Sequence, residues 1–181
     1  KSVSKANLLT TTMSKTIDDF RNFYKPNKEI TEFSLDKSIK NSLSLINSTF
    51  NYNDISVDYK IIKDITVLGF PNEFSQVILN ILTNSKDALV EKKIENAKVT
   101  ISVNTCDTYA CVVIKDNAGG IPLDIIDKIF EPYFTTKEEG KGTGIGLYMS
   151  KIIIEKNMNG KLYVNNTKKG AVFSVSVPLY K

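Results

Sequence analysis

Apolar residues recur three or four positions apart along residues 71–93, which is the clearest helical pattern in the chain. A proline, Pro71, stands near the start, where a helix tolerates it. The residues of this pattern would share one face, which comprises Phe74, Val77, Ile78, Ile81, Leu82, Ser85, Ala88 and Leu89. We expect this long helix to bury that face in the protein core.

Weaker helical patterns occur in four other segments. Residues 1–24 carry an apolar seam at helical spacing, formed by Leu9, Met13, Ile17, Phe20 and Tyr24. Because a lone helix of this length is marginal in water, the seam predicts a partner helix. Ser34 can cap a helix that runs to about residue 46. Two shorter helices are predicted at residues 122–130 and 145–156.

Stretches rich in β-forming residues predict strands between these helices. The first two form a pair, the next two form a hairpin that turns at residues 107–108, and the last two close the chain. They are residues 55–62 and 64–70, residues 97–104 and 109–116, and residues 160–166 and 170–179. Strands joined by short turns, with helices between them, predict an α+β fold: a two-layer sandwich in which helices cover one mixed sheet.

Composition narrows the function classes only slightly. The chain has 181 residues, 41% of them hydrophobic, which is enough to bury one sizeable core. Its net charge of +4 is mild and spread along the sequence, so neither a nucleic acid nor a membrane surface is predicted as a partner. The chain contains no histidine. It lacks an initiator methionine and a signal peptide, so we expect a fragment of a larger protein.

Three of the nine glycines stand at alternate positions in "GKGTGIGLYMSK", residues 140–151, directly before a predicted helix. A glycine-rich loop at the start of a helix can hold phosphate, because backbone N–H groups and the positive end of the helix dipole face the same anion. The spacing differs from the dinucleotide fingerprint and from the Gly-Lys-Ser/Thr phosphate loop. A flexible surface loop remains an alternative interpretation.

The long predicted helix also carries a polar stripe beside its apolar face, formed by Glu73, Asn80, Asn84 and Asp87. Carboxamide and carboxylate oxygens suit Mg²⁺, which takes one or two protein ligands alongside phosphate oxygens. Tolerated surface residues are the alternative interpretation of this stripe.

A third polar pattern, "DNAGGIP" at residues 116–122, follows a predicted strand directly. The Asp116 carboxylate could accept a hydrogen bond from the exocyclic amine of a planar ligand. Gly119 and Gly120 would let that ligand approach the backbone closely. Taken alone, the stretch is equally typical of a turn.

In order along the chain, these patterns resemble the ATP-binding domain of sensor histidine kinases. The wider superfamily (GHKL) also includes gyrase, heat-shock chaperone and mismatch-repair ATPases. The resemblance lies in "NILTNSKDA" (N box), "DNAGGI" (first glycine box), "FEPYFTTK" (F box), "GTGIGLYMSK" (second glycine box) and the closing strand "GAVFSVSVPL". It covers about residues 30–180 and implies a Bergerat-type ATP-binding fold.

The resemblance implies ATP and Mg²⁺ as cofactors and assigns roles to residues. Asn84 would ligate the metal through its side-chain oxygen, and Asp116 would accept a hydrogen bond from the adenine amine. Residues 134–141 would form a lid over the nucleotide, and Asn80 and Lys137 would serve catalysis near the phosphates. The implied nucleotide contacts are Asn80, Asn84, Asp116, Gly120, Ile121, Phe134, Thr136, Lys137, Lys141, Gly142, Thr143, Gly144, Ile145, Gly146 and Leu147.

The first segment has a counterpart in the same kinases. Residues 13–26 resemble the second helix of their dimerisation and phosphoacceptor hairpin. We therefore expect a helix and linker at residues 1–28 and a catalytic ATP-binding domain at residues 29–181. The phosphoaccepting histidine would lie on a helix before Lys1. The resemblance further implies a homodimer through this hairpin, transfer to a response regulator receiver domain, and a cytoplasmic location within a larger sensor.

The sequence departs from the family pattern in three places. Asp87 stands where many kinases have Lys or Arg, and Ala118 and Gly119 replace the commoner Gly-Pro. Ala171 stands where relatives often have Thr, so a hydroxyl that could support adenine binding is missing.

Two alternatives to the kinase hypothesis remain open. The chain could be an ATP hydrolase of the same superfamily, with Glu73 or Asp87 activating water. The hydrolysing relatives use a Glu as general base at the position of Asn80, and a neutral carboxamide cannot accept a proton at neutral pH. The second alternative is a catalytically degenerate scaffold that dimerises through residues 1–24.

Overall fold

The computed structural model describes residues 29–61, 63–138 and 142–180. The helix predicted within residues 1–24 therefore lies outside the described residues, as does the linker up to residue 28. The division between the two predicted parts of the chain stays a prediction.

The described residues form seven strands, three helices and one π-helical turn. In sequence they are β1 (Thr31–Ser34), α1 (Leu35–Tyr52), β2 (Ser56–Ile61), β3 (Thr66–Gly69), α2 (Pro71–Glu91), β4 (Lys98–Cys106), β5 (Tyr109–Asp116), α3 (Gly146–Ile152), the π-helical turn (Ile153–Asn157), β6 (Lys161–Asn166) and β7 (Ala171–Pro178).

The main sheet has the strand order β2-β4-β5-β7-β6. Strand β2 runs parallel to β4, and the remaining neighbours are antiparallel, so the sheet is mixed as predicted. Alternate residues of its central strands are buried and join one core with the apolar face of α2. The predicted two-layer sandwich is therefore confirmed in the part of the chain that the structure describes.

Helix α1 begins at its predicted cap and runs further than predicted. The Ser34 side chain accepts a hydrogen bond from the Lys37 N–H at 3.0 Å, which satisfies a backbone donor of the first turn. The helix continues beyond residue 46 to Tyr52, because Phe50 adds a buried side chain on the same face as Ile46.

The predicted pairing of residues 55–62 with 64–70 is wrong. Strand β2 pairs with β4, whereas β3 pairs with β1 in a separate antiparallel ribbon. Asp64, between the two strands, accepts hydrogen bonds from the Ser34 hydroxyl at 2.7 Å and the Asp36 N–H at 3.2 Å. These contacts fix the connection between β2 and β3 against the start of α1. Strand β3 therefore begins next to β1 and pairs with it.

The predicted short helix at residues 122–130 is also wrong. The segment forms successive turns, in which Ile125 donates to the Pro122 carbonyl and Lys128 to the Ile125 carbonyl. Leu123 remains 80% exposed while Ile129 is buried, so the segment lacks the continuous apolar face that stabilises a surface helix. The helix predicted at 145–156 is present, but its last turns widen into the π-helical turn.

The two ends of the described chain lie side by side. Leu179 forms a β-bridge with Val67, and its N–H donates to the Thr108 carbonyl at 2.9 Å. A hydrogen bond with Glu32 on β1 raises the pKa of Tyr180. The segment after β7 therefore ties the β1–β3 ribbon to the main sheet.

Among the described residues, no helix combines the length and the apolar content that crossing a bilayer would require.

Candidate functional site

Asp116 ends β5 with a carboxylate that is 4% exposed. Its Oδ1 accepts hydrogen bonds from the N–H groups of Ala118 at 2.9 Å and Ala171 at 3.1 Å. The Ser85 hydroxyl donates to Oδ2 over a long 3.5 Å. Backbone donors therefore fix one carboxylate oxygen, and the other is only weakly engaged.

Gly170 lets β7 approach Asp116. A Cβ atom at this position would lie 2.1 Å from the Asp116 carbonyl oxygen and 2.6 Å from Oδ1. Ala171 therefore contributes a backbone N–H to the carboxylate, and the hydroxyl that contacts Asp116 comes from Ser85 on α2.

The loop after Asp116 is held open by two glycines with positive φ, Gly119 at 78° and Gly120 at 82°. The Lys92 ammonium, just past the end of α2, donates to the carbonyls of Ala118 at 2.8 Å and Gly120 at 3.0 Å. These bonds tie the backbone on both sides of Gly119 to the end of α2.

Asn166, at the end of β6, holds the next residue of this loop. Its Nδ2 donates to the Ile121 carbonyl at 2.6 Å, and its Oδ1 accepts from the Ile121 N–H at 2.9 Å. A Cβ atom at Gly120 would lie 2.7 Å from the same Oδ1, so the clamp needs glycine there. Sequence reasoning missed both Asn166 and Lys92. An asparagine at a strand end and a lysine after a helix carry no local signal of such a contact.

The polar stripe of α2 faces Lys137, α3 and the π-helical turn, in agreement with the predicted helical phase. Asn80 Nδ2 donates to the Gly146 carbonyl and to the Ser150 hydroxyl, both at 3.2 Å. Its Oδ1 accepts from Gln76 at 3.1 Å. Asn80 thus fastens the start of α3 to α2.

One turn further along α2, two oxygens of the stripe meet one cation. The Lys137 ammonium lies 3.3 Å from Asn84 Oδ1 and 2.6 Å from Asp87 Oδ2. Lys86 also forms an ion pair with Asp87. Burial alone would raise the pKa of Asp87, but the hydrogen bonds from Lys137 and Lys86 outweigh it and hold that pKa below its usual value.

The first residue of the stripe has a different neighbour. Glu73 Oε2 accepts a hydrogen bond from Asn157 Nδ2 at 2.8 Å, at the end of the π-helical turn. Glu73 is therefore part of the contact between α2 and that turn, two helical turns away from Asn80.

The need for glycine differs among Gly142, Gly144 and Gly146, the last of which is the first residue of α3. Gly144 has φ of 65°, and a Cβ atom there would lie 2.4 Å from the Tyr133 carbonyl carbon, so only glycine fits. Its own carbonyl accepts from the Tyr133 N–H at 3.0 Å. A Cβ at Gly142 would meet the side chains of Thr135 and Lys137, whereas one at Gly146 would make ordinary contacts with Asn80.

The other predicted contact residues occupy varied environments. Phe134 and Leu147 are partly buried against the core, and Ile145 is buried at the start of α3. The Thr143 hydroxyl accepts from the Ile145 N–H at 3.4 Å, and Thr136 is exposed. Lys141 lies outside the described residues.

Helix α2 brings the candidate residues together. Between residues 80 and 87 it contacts the glycine segment through Asn80, Lys137 through Asn84, and Asp116 through Ser85. Asn84 Oδ1 already faces a cation, the Lys137 ammonium, and carboxamide and carboxylate oxygens are the donors that Mg²⁺ takes. If Lys137 moves aside, Asn84 Oδ1 could therefore serve as one ligand of a magnesium ion whose other ligands are phosphate oxygens and waters. Within the described ranges, no group of three or more His, Cys, Asp or Glu side chains could hold a metal.

A family model described as "Histidine kinase-, DNA gyrase B-, and HSP90-like ATPase" matches residues 69–181. The match covers more than half of the chain and includes all the candidate site residues described above.

Curated relatives of similar sequence are named as sensors and kinases. Two-component sensor PprA of Pseudomonas aeruginosa is 40% identical over 116 residues, 62% of this chain and 12% of that protein. Sporulation kinase A of Bacillus subtilis is 34% identical over 147 residues, 80% of this chain and 23% of that protein. The chain thus spans less than a quarter of the length of either relative.

Solved structures share the fold. The nucleotide-free catalytic domain of histidine kinase ThkA matches with a TM-score of 0.74 and 30% identity, over 83% of this chain and 96% of that chain. Histidine kinase ThkA in complex with response regulator protein TrrA matches with a TM-score of 0.74 and 25% identity, over 98% of this chain and 49% of that chain. This likeness confirms the predicted fold class.

Proposed function

Because the chain belongs to the family of histidine kinase-, DNA gyrase B- and HSP90-like ATPases, we propose that it is the ATP-binding catalytic domain of a two-component sensor histidine kinase. It transfers the γ-phosphate of ATP to a histidine on a helix outside this sequence. The observation that carries the proposal is the set of contacts made by residues 80–87 of α2, which reach Asp116, Lys137 and the glycine segment alike.

Asp116 is the residue that we assign to adenine. One oxygen of its carboxylate is occupied by two backbone donors, so the side chain cannot turn without breaking both hydrogen bonds. Oδ2, which meets only the long contact from Ser85, keeps capacity to accept a hydrogen bond from an exocyclic amine. Gly119 and Gly120 beside it carry no side chain that would obstruct the approach of a planar ring to the backbone.

Asn84 and Lys137 are the residues that we assign to the metal and the phosphates. Bound Mg²⁺ would neutralise negative charge on the phosphate oxygens during transfer. Asn84 would hold the ion through Oδ1, and Lys137 would supply a second positive charge. Gly144 lets the backbone before α3 approach the backbone of Tyr133 closely.

The described residues support transfer to another group rather than to water. Asn80, at the position of the relatives' general base, donates its N–H groups to Gly146 and Ser150 and cannot accept a proton. Glu73 holds Asn157, and Asp87 is paired with two ammonium groups that keep it ionised and weakly basic. Neither carboxylate is placed as the hydrolase alternative requires. The intact nucleotide-site residues likewise argue against a degenerate scaffold.

Partners and location follow from the same assignment. We propose that the phosphoryl group passes to a response regulator receiver domain, as the complex of ThkA with its response regulator suggests. We also propose a homodimer through the helical hairpin to which residues 1–28 belong, and a cytoplasmic location for this domain.

A titration with the ATP analogue AMPPNP and Mg²⁺, followed by calorimetry, tests nucleotide binding. We expect wild type to bind, Asp116→Ala to abolish binding, and Asn84→Ala to weaken it. Asp58→Asn serves as the control, because this carboxylate pairs with Lys60 and Lys98 at the far edge of the sheet. Undiminished binding by Asp116→Ala would contradict the adenine assignment.

The full-length protein distinguishes the kinase from the hydrolase. Incubated with labelled ATP, it should acquire an acid-labile, alkali-stable phosphate, as expected for a phosphohistidine. Steady release of inorganic phosphate without such labelling, lost in Glu73→Gln or Asp87→Asn, would favour the hydrolase instead.

A further inference from the structure

The Lys137 ammonium occupies the oxygen that the proposed function assigns to the metal. It lies 3.3 Å from Asn84 Oδ1 and is held there by the closer carboxylate of Asp87, at 2.6 Å. Both partners of this ion pair are only partly exposed, Lys137 at 31% and Asp87 at 28% of the side chain. Such a pair is better defined than a surface ion pair in full contact with water.

A lysine ammonium and Mg²⁺ cannot share that oxygen. Both are cations, and at the distance of two ligands on one carboxamide oxygen their repulsion is large in a partly buried site. Asn84 can therefore face the lysine or the metal, but not both at once. The backbone of Gly142 passes close to the Lys137 side chain, since a Cβ atom added there would lie 3.1 Å from its Cβ and Cδ.

We propose that Asp87 is a positioning residue that stores Lys137 at Asn84 as an internal counter-cation until the metal–nucleotide complex displaces it. The lysine then leaves Asn84 for the phosphates, and the metal takes its place at Oδ1. This inference rests on the proposed function, because it assumes that Asn84 binds the metal. It assigns Asp87 no contact with the reacting atoms.

The identity of residue 87 agrees with this role. The Lys or Arg that many similar kinases have at this position would repel Lys137 and could not hold it. An acidic residue one turn after Asn84 attracts it instead, because side chains three apart on a helix are neighbours. The acidic residue at position 87 thus accounts both for the departure from the family pattern and for the ion pair with Lys137.

Limited digestion with trypsin tests the stored lysine in the absence of nucleotide. Trypsin cleaves after a lysine only when the ammonium enters its own acidic specificity pocket. We expect cleavage after Lys137 to be about threefold faster in Asp87→Asn than in wild type, which is the change expected for an ion pair of this exposure. Asp58→Asn, which removes a charge elsewhere, should cleave at the wild-type rate. Equal rates in all three proteins would overturn the proposal.

The affinity for Mg²⁺·AMPPNP provides the second measurement. Asp87→Asn should bind the complex about threefold more tightly than wild type, because less is lost when the lysine leaves Asn84. Asp58→Asn should bind as wild type does. If wild type binds the complex but Asp87→Asn binds it equally well or more weakly, this inference alone is overturned. Absence of binding by wild type would overturn the proposed function and this inference with it.

Discussion

At the Asp116 end of the candidate site, backbone N–H groups donate hydrogen bonds to a buried carboxylate. At the Lys137 end, by contrast, the partly exposed side chains of Lys137 and Asp87 form an ion pair. Asp116 is fixed by Ala118 and Ala171 through their main chains, and Gly170 allows that approach. Lys137 forms its hydrogen bonds to α2 through its terminal ammonium.

Under the proposed function, this difference separates two tasks of the candidate site. Fixed backbone donors cost little reorganisation when a ligand arrives, so the Asp116 end can select a ring by shape and hydrogen bonding. The long side chain of Lys137 can exchange partners without moving the main chain. The Lys137 end can therefore accommodate ligand groups whose charge changes. Substitutions at the first end should therefore change stability and affinity together. Those at the second should change affinity with little effect on stability.

The largest effect is expected for Gly170→Ala. Its Cβ would lie 2.1 Å from a backbone oxygen of Asp116, which no side-chain rotation can relieve. We expect the free energy of unfolding to fall by more than about 3 kcal/mol, as measured by urea denaturation. Gly119→Ala is the control, since it has a positive φ but open space, and should cost about 1 kcal/mol. Equal losses would mean that the Asp116 end is not rigid.

An intermediate effect is expected for Asn166→Ala, which removes both hydrogen bonds to Ile121. Because the clamp is exposed, the unfolding free energy should fall by about 1 kcal/mol. Nucleotide affinity should fall as well, since the loop beside Asp116 loses its support. The neighbouring Asn165→Ala should change neither quantity. A loss of stability without a loss of affinity would separate this clamp from the Asp116 end.

The smallest effect is expected for the contribution of Asp87 to stability. Its pKa is lower in the folded protein than the unfolded value of about 3.9, so the ion pair stabilises the fold above that value. The contribution is lost as the pH falls through the folded pKa. Wild type should exceed Asp87→Asn by about 0.5 kcal/mol at pH 7, because solvent screens the pair. Urea denaturation at pH 7 and pH 3 should show that difference shrinking, and a constant difference would contradict it.

The sequence predicted those parts of the fold whose signal is local. The apolar period of residues 71–93 predicted α2 and its buried face, and Ser34 predicted the start of α1. The turn at residues 107–108 predicted the β4–β5 hairpin. In each case the residues that carry the signal belong to, or directly adjoin, the helix or hairpin that they predict.

What the sequence did not predict depends on distant partners. Strand β2 pairs with β4 across the whole of α2, and nothing in residues 55–62 encodes that choice. Asn166 and Lys92 support the loop after Asp116 from 45 and 26 or more residues away. The resemblance named Asn84 and Lys137 separately, but the ion pair with Asp87 that joins them appeared only in the folded chain.

The β-bridge between Val67 and Leu179, with Tyr180 beside Glu32, makes the described polypeptide enter and leave the domain at one place. A unit with adjacent entry and exit can be inserted into longer proteins as a cassette, without its neighbours having to reach around it.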